Sequence, residues 1–131
     1  MTDKISVKAA DNYRLCKSHT ILTPAAATYT LIQIPRRAFV SDVWLYVPVA
    51  GSSDTVTVGW AGNGQTAVTN GFITVDVADI KITGMKKAIA DTRTSNGAKY
   101  FDTSGGMITM TVGTTQTTGR FYVFARYTII Y

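Results

Sequence analysis

The sequence predicts an all-β protein: a single-domain antiparallel β-sandwich, jelly-roll-like, of about seven or eight strands. Three observations carry this expectation. Every one of the eight acidic residues is Asp, with no Glu in the chain, and Asp is a poor helix former where Glu is a good one. Residues 119–131 read GRFYVFARYTIIY, an almost unbroken run of the β-branched and aromatic residues that suit a pleated, half-buried surface. Short stretches of the same kind recur along the chain, separated by Gly, Pro, Asn and Ser clusters that mark turns.

The elements follow in order. Residues 1–12 are polar with isolated Ile5 and Val7, and read as an N-terminal arm or edge strand ahead of a sandwich over residues 13–131. Residues 13–22 form a strand with two mixed faces, ended at Thr23-Pro24 because proline cannot join a ladder. A second strand spans 28–34, and Pro35-Arg36-Arg37 turns the chain. Residues 38–49 make a long strand. Strict alternation puts Phe39, Ser41, Val43, Leu45 and Val47 on one face and Val40, Asp42, Trp44 and Tyr46 on the other. Residues 54–61 are expected to be its hairpin partner, with Val56, Val58 and Trp60 inward. The Gly/Asn/Thr-rich stretch 62–71 reads as surface loop. Residues 72–75 suggest a brief strand, and 77–80 one helical turn with Asp76 as its N-cap. Residues 82–90 fit strand or turn, and 91–97 (DTRTSNG) are turn chemistry. Tyr100 and Phe101 return to the core. Residues 107–112 (MITMTV) are expected to form a hairpin with the last strand across the polar loop 113–119. That last strand presents Phe121, Val123, Ala125, Tyr127, Ile129 and Tyr131 to the core, and Arg120, Tyr122, Phe124, Arg126, Thr128 and Ile130 outward.

Composition excludes more than it assigns. The formal charge of +5 is accounted for by solubility. The basic residues are scattered, without the dense stripe of a dedicated nucleic-acid binder, so no nucleic-acid partner is expected. No stretch approaches the ~20 apolar residues of a membrane helix, and the N-terminus has no signal-like apolar run; no membrane partner is expected. Cys16 is the single cysteine, so no intrachain disulfide forms. Cys16 and His19 have zinc-like spacing, but structural zinc takes four ligands, and a spacing of three on a strand puts the two on opposite faces. The pairs Asp76/Asp79 and Asp42/Asp54 could act as acid and base, yet most of the aspartates sit beside Gly, Ser or Asn, where turn formation explains them. No catalytic residue, cofactor or metal site is expected.

The aromatic residues are the more informative group. If Trp44 and Tyr46 share a face with Tyr122 and Phe124, one sheet is aromatic on its outside. The plainest reading is a two-sided core, with one face against the other sheet and the second covered by loops. Next comes a subunit interface, and last a sugar-stacking platform that would also use Trp60.

The strand DVWLYV (42–47), the strand TVTVG (55–59), the Gly/Asn/Thr-rich middle, the re-entry at Tyr100-Phe101 and the ending FYVFARY (121–127) together resemble small all-β virion proteins of tailed bacteriophages. The resemblance is to capsid decoration or cement proteins and head-fibre proteins, over about residues 27–131. It implies a β-sandwich that self-associates, often as a trimer, on the capsid exterior. The family offers no catalytic residue to carry over. Coat proteins of small RNA phages are similar in length and charge but end in helices, whereas this chain ends in a strand.

The expected function is therefore a non-enzymatic virion protein, made in the host cytoplasm and located on the capsid surface. Its expected partners are copies of itself and the major capsid protein. Trp44, Tyr46, Tyr122, Phe124 and Arg126 are expected at the subunit interface, and Lys4, Ile5, Val7 and Lys8 at the capsid contact. The alternative is a carbohydrate- or receptor-binding module of a tail or fibre.

Overall fold

The computed structural model describes residues 13–62, 67–74, 78–87, 99–101 and 104–130. The expected arm, the Asp76 cap and the turn at 91–97 lie outside the described residues. Ten strand segments are present among them: β1 Tyr13–Lys17, β2 Ile21–Leu22, β3 Ala27–Ile34, β4 Ala38–Val49, β5 Val56–Ala61, β6 Val68–Ile73, β7 Gly84–Lys87, β8 Lys99–Phe101, β9 Gly106–Val112 and β10 Arg120–Ile129. They occupy eight positions in two antiparallel sheets, because β1 and β2 share one edge of β10, and β7 and β8 share one edge of β4. One sheet runs β1/β2-β10-β4-β7/β8, the other β3-β9-β5-β6.

The pairing has a simple origin. Trp60 pairs with Val68, Ala38 with Phe101, Ala27 with Val112 and Tyr13 with Thr128. The pairs are nested, their midpoints falling between residues 64 and 71. The chain is thus one long antiparallel ribbon, rolled up, with β5 and β6 as its innermost pair. Two further ladders, β10 with β4 and β9 with β5, stitch the roll into closed layers. This is the jelly-roll form of the sandwich, as the composition and strand spacing predict.

Two expected hairpins are not formed. β9 pairs with β3 and β5, not with β10, and β5 pairs with β6 and β9, not with β4. In each case the intervening loop arches from one sheet to the other. The polar groups of the 113–119 arch are met by neighbouring loops at the same end. Gly113 N–H donates to the Thr55 carbonyl (2.9 Å), Gln116 N–H to the Pro24 carbonyl (2.9 Å) and the Thr118 hydroxyl to the Ala50 carbonyl (3.1 Å). A loop so satisfied has no need of a tight turn.

The stretch 68–71, expected as loop, is the first part of β6. Gly71 lets the strand pass against the indole of Trp60: a Cβ there would lie 2.1 Å from its ring. Near the expected helical turn, Ala78 N–H donates to the Thr74 carbonyl (2.9 Å), the i to i−4 bond of one such turn.

Between the sheets lies a continuous apolar core that includes Leu45, Phe72, Phe101, Ile108, Met110 and Phe121, all fully buried. On β10 the expected alternation holds, with Phe121, Val123 and Ala125 buried. On β4 it breaks. Ala38 and Val40 are buried and Phe39 is exposed, and after Asp42 the buried set is Val43, Leu45 and Val47. The cause is a bulge: Arg126 faces Asp42 while the next residue, Tyr127, faces Val40, so Ser41 is the extra residue. One extra residue exchanges the faces on either side of it. A second bulge in β3, between Thr30 and Ile32, likewise lets Tyr29 and Leu31 join the core margin on one side and Ile32 and Ile34 fill it on the other.

Candidate functional site

The bulge at Ser41 has a consequence for the outside of the β10 sheet. Asp42, Trp44 and Tyr46 are turned outward beside Arg126, Phe124 and Tyr122, their direct partners across the β4–β10 ladder. All five residues expected at a subunit interface therefore stand together on one face, in three adjacent rows.

The middle row crosses four strands: Lys17 on β1, Phe124 on β10, Trp44 on β4 and Lys87 on β7. Next to it, Tyr46 and Tyr122 stack with centroids 6.3 Å apart and rings inclined 27°, and Met85 faces Tyr46 on the outer side. In the third row Arg126 faces Asp42, and their side chains form an ion pair and hydrogen bond. Lys87 Nζ reaches the other Asp42 oxygen at 2.9 Å. Both cations also lie over the Trp44 ring, at 5.8 Å for Arg126 and 5.9 Å for Lys87, within the range of cation–π attraction. Lys17 sits over Tyr122 at 5.0 Å, and the Tyr122 hydroxyl accepts from Thr20 (2.9 Å). The rings are thus held by charged and hydroxyl groups of the chain itself. Apolar side chains continue the face: Leu15, Leu22, Val49 and Met85 are all exposed.

Burial pushes the Asp42 carboxyl up, but the hydrogen bonds and charges of Lys87 and Arg126 outweigh that and hold it below the ordinary value of 3.8. A carboxylate with a depressed pKa stabilises the fold above its unfolded value, and that contribution is lost as pH falls through the folded value. Asp42→Asn is therefore expected to lower stability at neutral pH by up to about 1 kcal/mol, the scale of partly exposed ion pairs. Urea unfolding at several pH values should show this gap constant down to the ordinary carboxylate range and closing below it.

The opposite outer face differs. On the β9 sheet, Thr28, Thr111 and Thr57 form one cross-strand row, with the Thr28 and Thr111 hydroxyls 3.0 Å apart. That face presents neither aromatic rings nor charges in that row.

The remaining candidates stay apart. Cys16 packs against the core margin while His19 is exposed beyond the end of β1. Asp54 pairs with Lys81 at 3.6 Å, and Asp42 with Lys87 and Arg126. Among the described residues no group of three or more His, Cys, Asp or Glu could hold a metal ion, and no helix is long and apolar enough to cross a membrane. Trp60 meets Phe72 edge-on at 5.1 Å, with Lys99 over its ring at 5.0 Å, and packs against the margin of the core. Lys4, Ile5, Val7 and Lys8 lie outside the described residues. The two lysines clamping the middle row were not singled out from sequence; β7 was ambiguous there, and only the register places Lys87 beside Trp44.

No protein-family model matches the sequence, and no curated protein matches it. Two solved structures share the fold. One is a chain in the acid-stable capsid structure of Helicobacter pylori bacteriophage KHP30, with a TM-score of 0.59 and 19% identity over 89% of this chain and 87% of that one. The other is a chain of the cyanophage Pam1 capsid asymmetric unit, with a TM-score of 0.65 and 17% identity over 91% of this chain and 86% of that one. The expected likeness to small all-β phage virion proteins is thus met at the level of the fold, and over nearly the whole of each chain.

Proposed function

We propose that this protein is a structural, non-enzymatic component of a bacteriophage virion, which decorates or cements the capsid exterior as a homo-oligomer, in the expected form a trimer. The observation that carries the reading is the fold likeness to two chains of phage capsid structures, over about nine-tenths of this chain. Both matched chains are close to it in length, so each is compared as a whole and not as part of a larger subunit. The contrast between the two outer faces supports attachment of the chain to another protein of the particle. A contiguous apolar and aromatic surface is what protein contacts use, so the Trp44, Tyr46, Tyr122, Phe124 and Arg126 face is assigned as a protein–protein contact. Residues 1–12, with Lys4, Ile5, Val7 and Lys8, are assigned to gripping the major capsid protein. The logic is repetition: a lattice presents many copies of one site, and an oligomer engages several at once, so weak contacts add by avidity.

The test is co-purification. The chain should band with intact particles from a lysate that expresses it, as detected by antibody, and its absence from them overturns the virion reading. Deleting residues 1–12 should abolish particle association and leave the far-ultraviolet β signature unchanged; undiminished association sinks the arm assignment.

A further inference from the structure

The character of the β10-sheet face also bears on what it meets. Among the described residues, alternation and register place Lys17, Lys87, Arg120 and Arg126 on it, against a single carboxylate, Asp42, which is already shared by Lys87 and Arg126. The aromatic row Phe124–Trp44 has a cation at each end, Lys17 and Lys87. This arrangement disfavours pairing of the face with itself. In an isologous contact the two-fold axis lies in the interface. If it runs along the strands, Lys17 of one copy falls opposite Lys87 of the other; if it runs across them, Lys17 falls opposite Lys17. Either way cation meets cation with an apolar surface between, where like charges cost most. The chain as a whole is no better a partner, with 13 Lys and Arg against 8 Asp.

We propose that this face docks the surface of a different protein, apolar at its centre and rimmed by carboxylates. The rings of Trp44, Tyr46, Tyr122 and Phe124 on the inner strands supply the centre of the contact. The exposed apolar groups Met85, Leu15 and Leu22 extend it along the edge strands, and Lys17, Lys87 and Arg120 meet the acidic groups of the partner. Two-fold pairing of the chain with itself does not use this face. The proposal rests on reading the face as a protein contact within a virion, and it specifies the partner.

The test compares two variants that remove the same charge. Lys17→Ser/Lys87→Ser alters the face; Arg36→Ser/Lys81→Ser alters exposed positions away from it. Both are titrated with a random glutamate–tyrosine copolymer, with polyglutamate and with a short oligothymidylate. The copolymer should bind the wild type more tightly than polyglutamate does, because it adds apolar groups to the carboxylates. The face variant should weaken that binding about tenfold or more while the control variant does not, and added salt should weaken it further. Met85→Ser, a change at an exposed site, should erase the preference for the copolymer over polyglutamate. Equal losses in the two charge variants would overturn the proposal as charge attraction without a site. Tighter binding of oligothymidylate, with quenching of Trp44, would overturn it in favour of a single-stranded nucleic acid. A dimer in light scattering that Met85→Ser dissociates would overturn it in favour of self-pairing. None of these outcomes bears on whether the chain is found in particles, so the virion reading stands or falls separately.

Discussion

Truncating Phe121 to alanine is expected to destabilise the fold by about 3–5 kcal/mol, the range for deleting a buried phenylalanine side chain. Phe121 is fully buried, and its ring fills the end of the core beneath the loops. A Cβ on Gly119 would lie 2.6 Å from the tip of the ring, and one on Gly51 would lie 3.0 Å from it. Gly119 has φ = 119°, a conformation for which glycine is the natural residue, so the backbone on that side is fixed. It cannot easily close over the vacated space, and the cavity term therefore adds to the lost transfer energy. Urea unfolding followed by tryptophan fluorescence checks the expectation. A loss under about 1 kcal/mol would mean that the loops collapse onto the hole, and that the rigidity ascribed to this end is absent.

The residues that made the fold legible in sequence are those whose environment is local. β4 is found at its expected limits, Ala38–Val49, because its run of β-branched and aromatic residues marks a strand whatever its parity. β10 buries the face its alternation assigns, because there the pattern of side chains reports directly on two packed layers. Partners were less legible. Consecutive strands joined by polar, glycine-flanked loops look like hairpins, yet in a rolled ribbon the partner of a strand lies at the mirror position about the fold-back. Nothing within residues 113–119 announces that their hydrogen bonds go to 24 and 50–55. The bulge at Ser41 was equally hidden. Strict alternation groups Phe39 with Val43, Leu45 and Val47, and Val40 with Trp44 and Tyr46. The structure exchanges Phe39 and Val40 between those faces, because an extra residue shifts parity without changing composition. The aromatic face survived that error because Trp44 and Tyr46 lie on the far side of the bulge from Phe39. Its electrostatics did not follow from sequence at all: Lys87 is 45 residues from Asp42 in the chain, and only the β4–β7 register brings them within 2.9 Å.

Replacing Gln116 with leucine is expected to cost about 3 kcal/mol, through a different mechanism from Phe121. Gln116 is buried in the arch between β9 and β10 and uses both ends of its amide. Oε1 accepts from the backbone N–H of Ser52 (2.8 Å) and of Ser53 (3.1 Å); Nε2 donates to the carbonyls of Ser53 (2.9 Å) and Thr114 (3.0 Å). One side chain thereby ties the β9–β10 arch to the β4–β5 arch. Leucine preserves much of the shape but leaves several part-buried backbone groups without their partner, at about 1–3 kcal/mol for each that water does not reach. Gln116→Glu separates this account from simple loss of packing. The acid keeps the acceptor for Ser52 and Ser53, but when ionised it sets an oxygen against the Ser53 and Thr114 carbonyls. Burial and those carbonyls would raise its pKa in the folded state. The protonated form is then favoured by folding, and the stabilisation it brings is present below the unfolded value and lost as pH rises through the folded one. Urea unfolding should place Gln116→Glu nearer the wild type at about pH 4 than at about pH 7, while Gln116→Leu keeps its deficit at both. Equal deficits for the two variants at both pH values would mean that the amide fills space and does not join the loops. The Phe121 ring and Oε1 of Gln116 both abut Gly51, so the combined Phe121→Ala/Gln116→Leu variant should lose less than the sum of the two, as neighbouring sites do when they support the same segment.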